Sequence, residues 1–137
     1  MPHALQQLAL VISLALVHLV GPVPADLGVH GGSLSACASS AHCARADWTV
    51  RDPQAALASL RAALVSMPRT EIVEQSGGYL HATCSSALFG FVDDLELLAD
   101  PGHGVLQARS VSRLGDSDLG VNGRRLETLQ RALAEAG

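Results

Sequence analysis

The chain has 137 residues, and 48% of them are hydrophobic, which is typical of one globular domain and excludes a disordered polar segment. Aromatic residues make up only 3% of the chain, so a core must be built mainly from Leu, Val and Ala. The formal net charge is −4 and every basic residue is Arg, a balance that gives no general attraction to nucleic acid or anionic lipid.

The N-terminus has the sequence features of a targeting signal. Residues 1–25 have no charged side chain, and residues 8–20 form an almost uninterrupted apolar run. That run is shorter than the ~20 residues that span a bilayer, but it has the length of a signal-peptide core. Compact residues precede Asp26, as at a cleavage site. We therefore predict that residues 1–25 are a signal peptide or, if retained, a membrane anchor, and that the protein is exported, periplasmic or membrane-anchored.

Residues 26–47 are rich in Gly, Ser and Ala without a regular period, which predicts an extended lead-in to the domain. In an exported protein, Cys37 and Cys43 are expected to close a small disulfide loop worth ~2 kcal/mol. The alternatives are a soft-metal site formed with His42, for which no clear fourth ligand is present, and lipid attachment at Cys37. No metal or cofactor is predicted. Cys84 is expected to be a small buried residue rather than a nucleophile.

The folded domain is predicted over residues 48–137, with a short strand at residues 47–50. Asp52 followed by Pro53 is a strong helix start, and the helix should run to about residue 66. Its apolar residues recur at spacings of three and four, which indicates one buried stripe. These residues are Ala56, Leu57, Leu60, Ala63, Leu64 and Met67.

Four strands should follow this helix, over residues 70–75, 79–85, 89–98 and 105–112. Asn122 is expected to cap a last helix whose leucines mark one face. Such short connections force neighbouring strands to be antiparallel. The sequence therefore predicts an α+β domain: an antiparallel meander sheet of four to five strands, two helices packed on one face, and an N-terminal signal or anchor helix in front.

A series of short motifs carries a resemblance to a known family. In chain order these are Cys37-x5-Cys43, Pro68-Arg69-Thr70-x-Ile72-Val73-Glu74, Gly78-Tyr79-Leu80-His81-Ala82, Leu88-Phe89-Gly90-Phe91-Val92-Asp93-Asp94-x-Glu96, and Ser112-Arg113-x-Gly115-x-Ser117-Asp118-Leu119-Gly120-Val121-Asn122. Together they resemble domain-of-unknown-function family 1499 over about residues 26–134. The resemblance implies an exported or membrane-associated domain without an assigned activity. Ala38 and His42 depart from it, since Pro and Asn usually stand there.

An acidic cluster is the first candidate site. Side chains alternate along a strand, so Asp93 should lie on one sheet face and Asp94 and Glu96 on the other. The latter two, about 7 Å apart, would raise each other's pKa or hold a hard cation. Alternatively, they form a solvated acidic face or pair with Arg109 and Arg113 on the neighbouring strand.

Basic residues at the start of the last helix form the second candidate. Arg124 and Arg125 would fall in its first turn, where the helix dipole disfavours cations by ~0.3–1 kcal/mol each. Either Asp116 and Asp118 compensate them, or the arginines form an anion pocket with Arg113, the nearby glycines and the helix N–H groups. The residues predicted to bind a ligand are Arg113, Ser117, Asp118, Asn122, Arg124 and Arg125.

Neither a G-x-S-x-G nor an H-E-x-x-H motif is present in the sequence, and no catalytic residue is assigned. We therefore predict a non-catalytic binding module for an unidentified partner protein or small anionic ligand. Nucleic acid is not expected as a partner, and the membrane is expected to be contacted only through the N-terminal segment. The alternative is a hydrolase-like enzyme that uses Asp94 or Glu96 together with His81.

Overall fold

The computed structural model describes residues 20–136, so most of the predicted N-terminal signal or anchor segment lies outside the described residues. The elements in chain order are β1 (Val29–His30), β2 (Ser33–Leu34), β3 (Cys43–Thr49), α1 (Pro53–Val65), β4 (Thr70–Ser76), β5 (Tyr79–Ser85), β6 (Val92–Asp100), β7 (Val105–Ser112) and α2 (Val121–Ala136). No helix in this range is long and apolar enough to cross a membrane.

Five of the strands form one antiparallel sheet in the order β3-β7-β6-β5-β4. Strands β4 to β7 are a meander, and β3 is added at the outer edge of β7. Helix α1 carries the chain from that edge to the opposite one, and α1 and α2 pack on the same face. The predicted α+β class, with its antiparallel meander and two helices on one face, is confirmed.

Helix α1 begins where the sequence indicated. The Asp52 carboxylate accepts a hydrogen bond from the Ala55 N–H (3.0 Å), and Pro53 occupies the first turn, where its missing N–H leaves no bond unmade. The buried side of α1 includes Leu57, Leu60 and Leu64. The predicted stripe is the face that contacts the sheet.

Helix α2 begins one residue before its predicted cap. It starts at Val121, and the Gly120 carbonyl accepts the first helical hydrogen bond from the Arg124 N–H (3.0 Å). Asn122 is therefore inside the helix and fully buried, and its assignment as the N-cap was wrong. The capping carboxylate belongs to Asp118, which accepts hydrogen bonds from the N–H groups of Gly120 and Asn122.

Strand β6 begins at Val92, three residues later than predicted. The preceding loop is closed by two hydrogen bonds between Ser86 and Phe91, of 2.8 and 2.9 Å. Gly90 lies at φ +67°, a left-handed backbone that interrupts any strand through residues 89–91. Phe89 and Phe91 are consequently exposed rather than part of the sheet.

Residues 26–47 contain more regular structure than a loop-like lead-in. Strand β3 already begins at Cys43, and β1 and β2 form a small hairpin. Cys37 and Cys43 form the predicted disulfide, so their sulfur atoms are not available to the alternative metal site. Cys84 is a buried free cysteine, as expected.

The core between the sheet and the helices is built mainly from leucine, as the low aromatic content required. Its largest fully buried apolar side chains are Leu60, Leu64, Leu80, Leu95, Leu97, Leu106 and Leu129. The side chains at alternate positions of the same strands point away from the helices, and many of those are charged. The candidate site lies on this second face.

Candidate functional site

The sheet face opposite the helices is buried although it carries charges. Tyr79, His81, Asp94, Glu96 and Arg109 share this face, because their positions alternate with the leucines of the core. Residues 22–36, which we name the strap, contact this face through hydrogen bonds to Glu96, Gln107 and Arg109. Charges on a buried face must be paired, and each of these groups has a defined partner.

Glu96 is at the centre of this face and is fully buried. One carboxylate oxygen accepts a hydrogen bond from Arg109 Nη1 (3.1 Å). The other accepts hydrogen bonds from the Tyr79 hydroxyl and the Gly28 N–H, both at 2.7 Å. Burial, together with the hydrogen bond to Glu96, raises the pKa of Tyr79, so its phenol stays protonated and donates.

Arg109 links the sheet to the strap. Its side chain is 2% exposed, and Nη2 donates to the carboxylate of Asp26 at 2.7 Å, while Nη1 is bound to Glu96. Asp26 belongs to the strap, and its side chain is 47% exposed. Arg109 Nε is buried and has no hydrogen-bond partner among the described residues. An N–H left in this state costs about 1–3 kcal/mol, so it is the anomalous group of this face.

Asp94 forms the second ion-pair cluster. Arg113 binds it through two hydrogen bonds, Nε to Oδ2 at 2.8 Å and Nη2 to Oδ1 at 2.9 Å, and His81 Nε2 lies 2.7 Å from Oδ1. Burial alone would raise the pKa of Asp94. The hydrogen bonds from Arg113 and His81 lower it by more, so the pKa of Asp94 lies below its usual range. The hydrogen bond to Asp94 in turn raises the pKa of Arg113.

These contacts decide between the alternatives for the acidic cluster. Asp94 and Glu96 share one face. Glu96 pairs with Arg109 of β7, and Asp94 pairs with Arg113, the residue after β7, as the pairing alternative predicted. A solvated acidic face was wrong, since both carboxylates are fully buried. Within residues 20–136, no three His, Cys, Asp or Glu side chains converge as metal ligands.

Asp93 lies on the opposite face, where it contacts α2. Its carboxylate pairs with Arg125 Nη1 at 2.8 Å, and the same nitrogen also reaches Ser110 and Asn122. The Asn122 amide donates hydrogen bonds to the His42 carbonyl and to the side chains of Ser112 and Asp118, and it accepts one from Ser110. This network attaches the start of α2 to β7 and to the loop before β3.

The predicted anion pocket at the start of α2 is filled by the chain itself. Burial raises the pKa of Asp118, but hydrogen bonds from the Gly120 N–H and Asn122 lower it more, so this carboxylate is the anion at the helix N-terminus. Asp93, rather than Asp116 or Asp118, compensates Arg125. Arg124 is exposed beside Gly120.

The candidate ligand residues are therefore not brought to one place. Arg113 is on the strap side of the sheet, whereas Asn122 and Arg125 are on the helix side. The Ser117 hydroxyl accepts a hydrogen bond from the Leu119 N–H in the exposed loop between β7 and α2. A ligand role for the set as a whole stays a prediction.

A cavity of about 410 Å³ lies between the strap and β7. Arg109 and Arg113 both line it, beside Asp26, Ala38, His42 and Val111. His42 Nδ1 is a second buried polar atom without a partner among the described residues. Arg109, Asp26 and His42 were not predicted to bind an anion, and His42 was considered only as a metal ligand, because no local pattern in the sequence shows that the strap folds back over β7.

A known protein family matches most of the residues that form the sheet and the cavity. The model of the family described as "Protein of unknown function (DUF1499)" matches residues 33–133, which is 101 of the 137 residues. The chain belongs to the DUF1499 family. No match was found among curated proteins.

The DUF1499 match includes the disulfide, the five-stranded sheet and both arginines of the cavity, whereas Asp26 lies before its first residue. The family description gives no activity, so chemistry must be argued from the side chains. Each oxygen of Asp94 and Glu96 already accepts a hydrogen bond, and His81, Asp94 and Glu96 do not line the cavity. This geometry does not favour the hydrolase alternative, since a general base needs access to a substrate proton.

Proposed function

We propose that this DUF1499 domain is an exported, non-catalytic binding module that holds a small anionic ligand, a carboxylate, in the cavity between the strap and β7. The observation that carries the proposal is that two arginines, Arg109 and Arg113, line one cavity. Its volume of about 410 Å³ is within the range of ~300–1,000 Å³ that small-molecule sites occupy.

Asp26 indicates the chemistry that fits this cavity. Its carboxylate already binds Arg109 Nη2, and its side chain is about half exposed, so a soluble carboxylate can compete for the same guanidinium. Arg113 uses Nε and Nη2 for Asp94, which leaves Nη1 outside that pair. The remaining wall includes Val111 and Ala38, so a ligand with an apolar body beside its carboxylate is favoured.

Export is supported by two independent features of the sequence and structure. Residues 8–20 have the length of a signal-peptide core, and Cys37 and Cys43 are joined in a disulfide. Disulfides persist in oxidising compartments and are rare in the cytosol. The ligand is accordingly expected in the periplasm or outside the cell.

The first test blocks the cavity without removing a buried charge. Ala38 is an exposed residue of the wall, so Ala38→Phe fills the entrance while all ion pairs remain. Ser40→Phe, two residues further on in the same loop, is the matched control. Benzoate and inorganic phosphate serve as probes in isothermal titration and in thermal melting. We expect benzoate to raise the melting temperature of wild type and of Ser40→Phe, but not of Ala38→Phe.

A second variant tests whether the ligand replaces Asp26. Asp26→Asn removes the internal competitor for Arg109, so benzoate affinity should rise, whereas Asp47→Asn, an exposed partner of Arg45, should leave it unchanged. The proposal fails if benzoate and phosphate bind none of these proteins, or if they bind Ala38→Phe as well as they bind wild type.

A further inference from the structure

Exposed apolar side chains are concentrated at one end of the molecule. Among the described residues, ten large apolar side chains are exposed, and eight of them lie where β5, β7 and α1 end and where β3, β4, β6 and α2 begin. We name this the apolar end. Six of the eight are Val65, Leu88, Phe89, Phe91, Leu119 and Val121. A one-sided distribution of this kind marks an interaction surface rather than scattered surface residues.

The loop of residues 86–91 is the most prominent part of the apolar end. Leu88 is 81% exposed, and Phe89 and Phe91, the two phenylalanines of the chain, are 55% and 42% exposed. Their ring centroids are 5.6 Å apart, and the hydrogen bonds between Ser86 and Phe91 hold the loop closed. The core of the domain is built mainly from leucine, whereas both phenylalanines are exposed to solvent in a loop that hydrogen bonds hold in one conformation.

The apolar N-terminal run joins the domain at this same end. Residues 8–20 lead directly into Gly21, which packs so closely on Leu114 that an added Cβ would lie 2.7 Å from Leu114 Cγ. The neighbouring Arg113 N–H donates to the carbonyl of Val92, the residue after Phe91. Val20 and Val23, the other two exposed apolar residues of this end, flank Gly21.

We propose that the apolar end docks on a lipid bilayer, with the 86–91 loop entering the boundary between headgroups and acyl chains. This surface shares only Val23 with the wall of the ligand cavity and does not depend on the proposed ligand. A run of 13 residues is shorter than the ~20 that span a bilayer, and a single short apolar contact binds membranes only weakly. A second apolar contact at the same end makes the attachment stable.

The charges at the apolar end agree with a lipid surface. Arg69 and Arg124 are both exposed there, and long guanidinium side chains can reach headgroup phosphates while their stems lie on apolar groups. Asp116 is an exposed carboxylate at the same end. The opposite end presents Asp52 and Glu135 together with Arg51, and eight of the ten exposed large apolar side chains lie away from it.

The test uses the full chain reconstituted with vesicles of phosphatidylcholine and phosphatidylglycerol in a ratio of about 4 to 1. Cys37 and Cys43 are bonded to each other and Cys84 is buried, so a fluorescent NBD label can be directed to one new cysteine under non-reducing conditions. The labelled variants are Leu88→Cys and Leu119→Cys at the apolar end, with Gly102→Cys in the exposed turn at the other end as the matched control.

We expect the vesicles to increase the emission of the label at positions 88 and 119 several-fold, with a blue shift, and lipids carrying a nitroxide on the acyl chain to quench it. The label at position 102 should change in neither respect. Unchanged emission at positions 88 and 119 would overturn the proposal, and so would equal quenching at position 102. Increased emission without nitroxide quenching would also overturn it, because a second copy of the chain would then cover the surface.

Discussion

At the scale of single residues, Asp94 is the carboxylate on which the buried face depends most. It is fully buried and is held by Arg113 and His81, which keep its pKa below the usual range despite the opposing effect of burial. A carboxylate with a depressed pKa stabilises the fold above its unfolded pKa of about 4, and this contribution is lost as the pH falls through the lower folded pKa.

We therefore expect Asp94→Asn to lower the free energy of unfolding at pH 7 by about 3–5 kcal/mol, the cost of breaking a buried ion pair. Below pH 4 the difference between wild type and variant should shrink, because wild type then loses the same interaction. Urea unfolding at several pH values measures both effects. Asp47→Asn, at an exposed ion pair, should change stability by no more than about 1 kcal/mol. A constant difference between Asp94→Asn and wild type at every pH would contradict this account.

The face of each residue in this cluster could be predicted from the sequence, but its burial could not. Strand alternation assigned Asp94 and Glu96 to one side and Asp93 to the other, and the neighbouring strand supplied Arg109 and Arg113 as partners. The groups that complete the cluster are far away along the chain: the Gly28 N–H is 68 residues from Glu96, and Asp26 is 83 residues from Arg109. No periodicity in residues 22–36 indicates that they cover the sheet.

At the scale of secondary-structure elements, the start of α2 tests how a helix tolerates cations in its first turn. Asp118 accepts hydrogen bonds from the Gly120 and Asn122 N–H groups and from the Asn122 side chain. We expect Asp118→Ala to lower the free energy of unfolding by about 1 kcal/mol or somewhat more, because the cap and the negative charge at the helix N-terminus are both lost.

Asp116→Ala is the matched control for this prediction, since Asp116 is exposed two residues earlier in the same loop. It removes the same charge without removing a cap. Urea denaturation of both variants in low and high salt separates the two contributions, because salt screens the charge but leaves the hydrogen bonds. Equal stability of the two variants would mean that Asp118 acts only through its charge.

The start of an element could be predicted where neighbouring residues determine it. The prediction was wrong where a residue elsewhere in the chain acts as the cap or interrupts the strand. Asp52 and Pro53 defined the start of α1 because cap and proline act within one turn. Asn122 is a suitable cap by residue type, yet in the structure its amide is used for contacts with β7 and His42, and Asp118 replaces it. Phe89 and Phe91 favour a strand individually, but the left-handed backbone of Gly90 between them forms a loop.

At the scale of the whole molecule, the sheet is covered on one face by two helices and on the other by the strap. The helix side is mainly an apolar core, with the Asp93–Arg125 ion pair at the start of α2. The strap side is held by polar contacts, such as the hydrogen bond from the Leu34 N–H to Gln107 (2.9 Å), and the strap has few large apolar side chains. The disulfide between Cys37 and Cys43 closes the chain between strap and β3 and so limits how far the strap can move.

This division predicts a local effect of removing the disulfide. Replacing Cys37 and Cys43 by Ser should lower the free energy of unfolding by about 2 kcal/mol, the chain-entropy value for so short a loop. Hydrogen exchange of the Gly28 N–H, which donates to Glu96, should accelerate more than that of Leu95 in the central strand, because the strap opens without the sheet. Cys84→Ala, which removes the free thiol and keeps the disulfide, is the control. It should leave the ratio of the exchange rates of the Gly28 and Leu95 amides as in wild type. If the double variant accelerates both amides equally, the strap and the sheet open as one unit, and the cavity between them is not independently accessible.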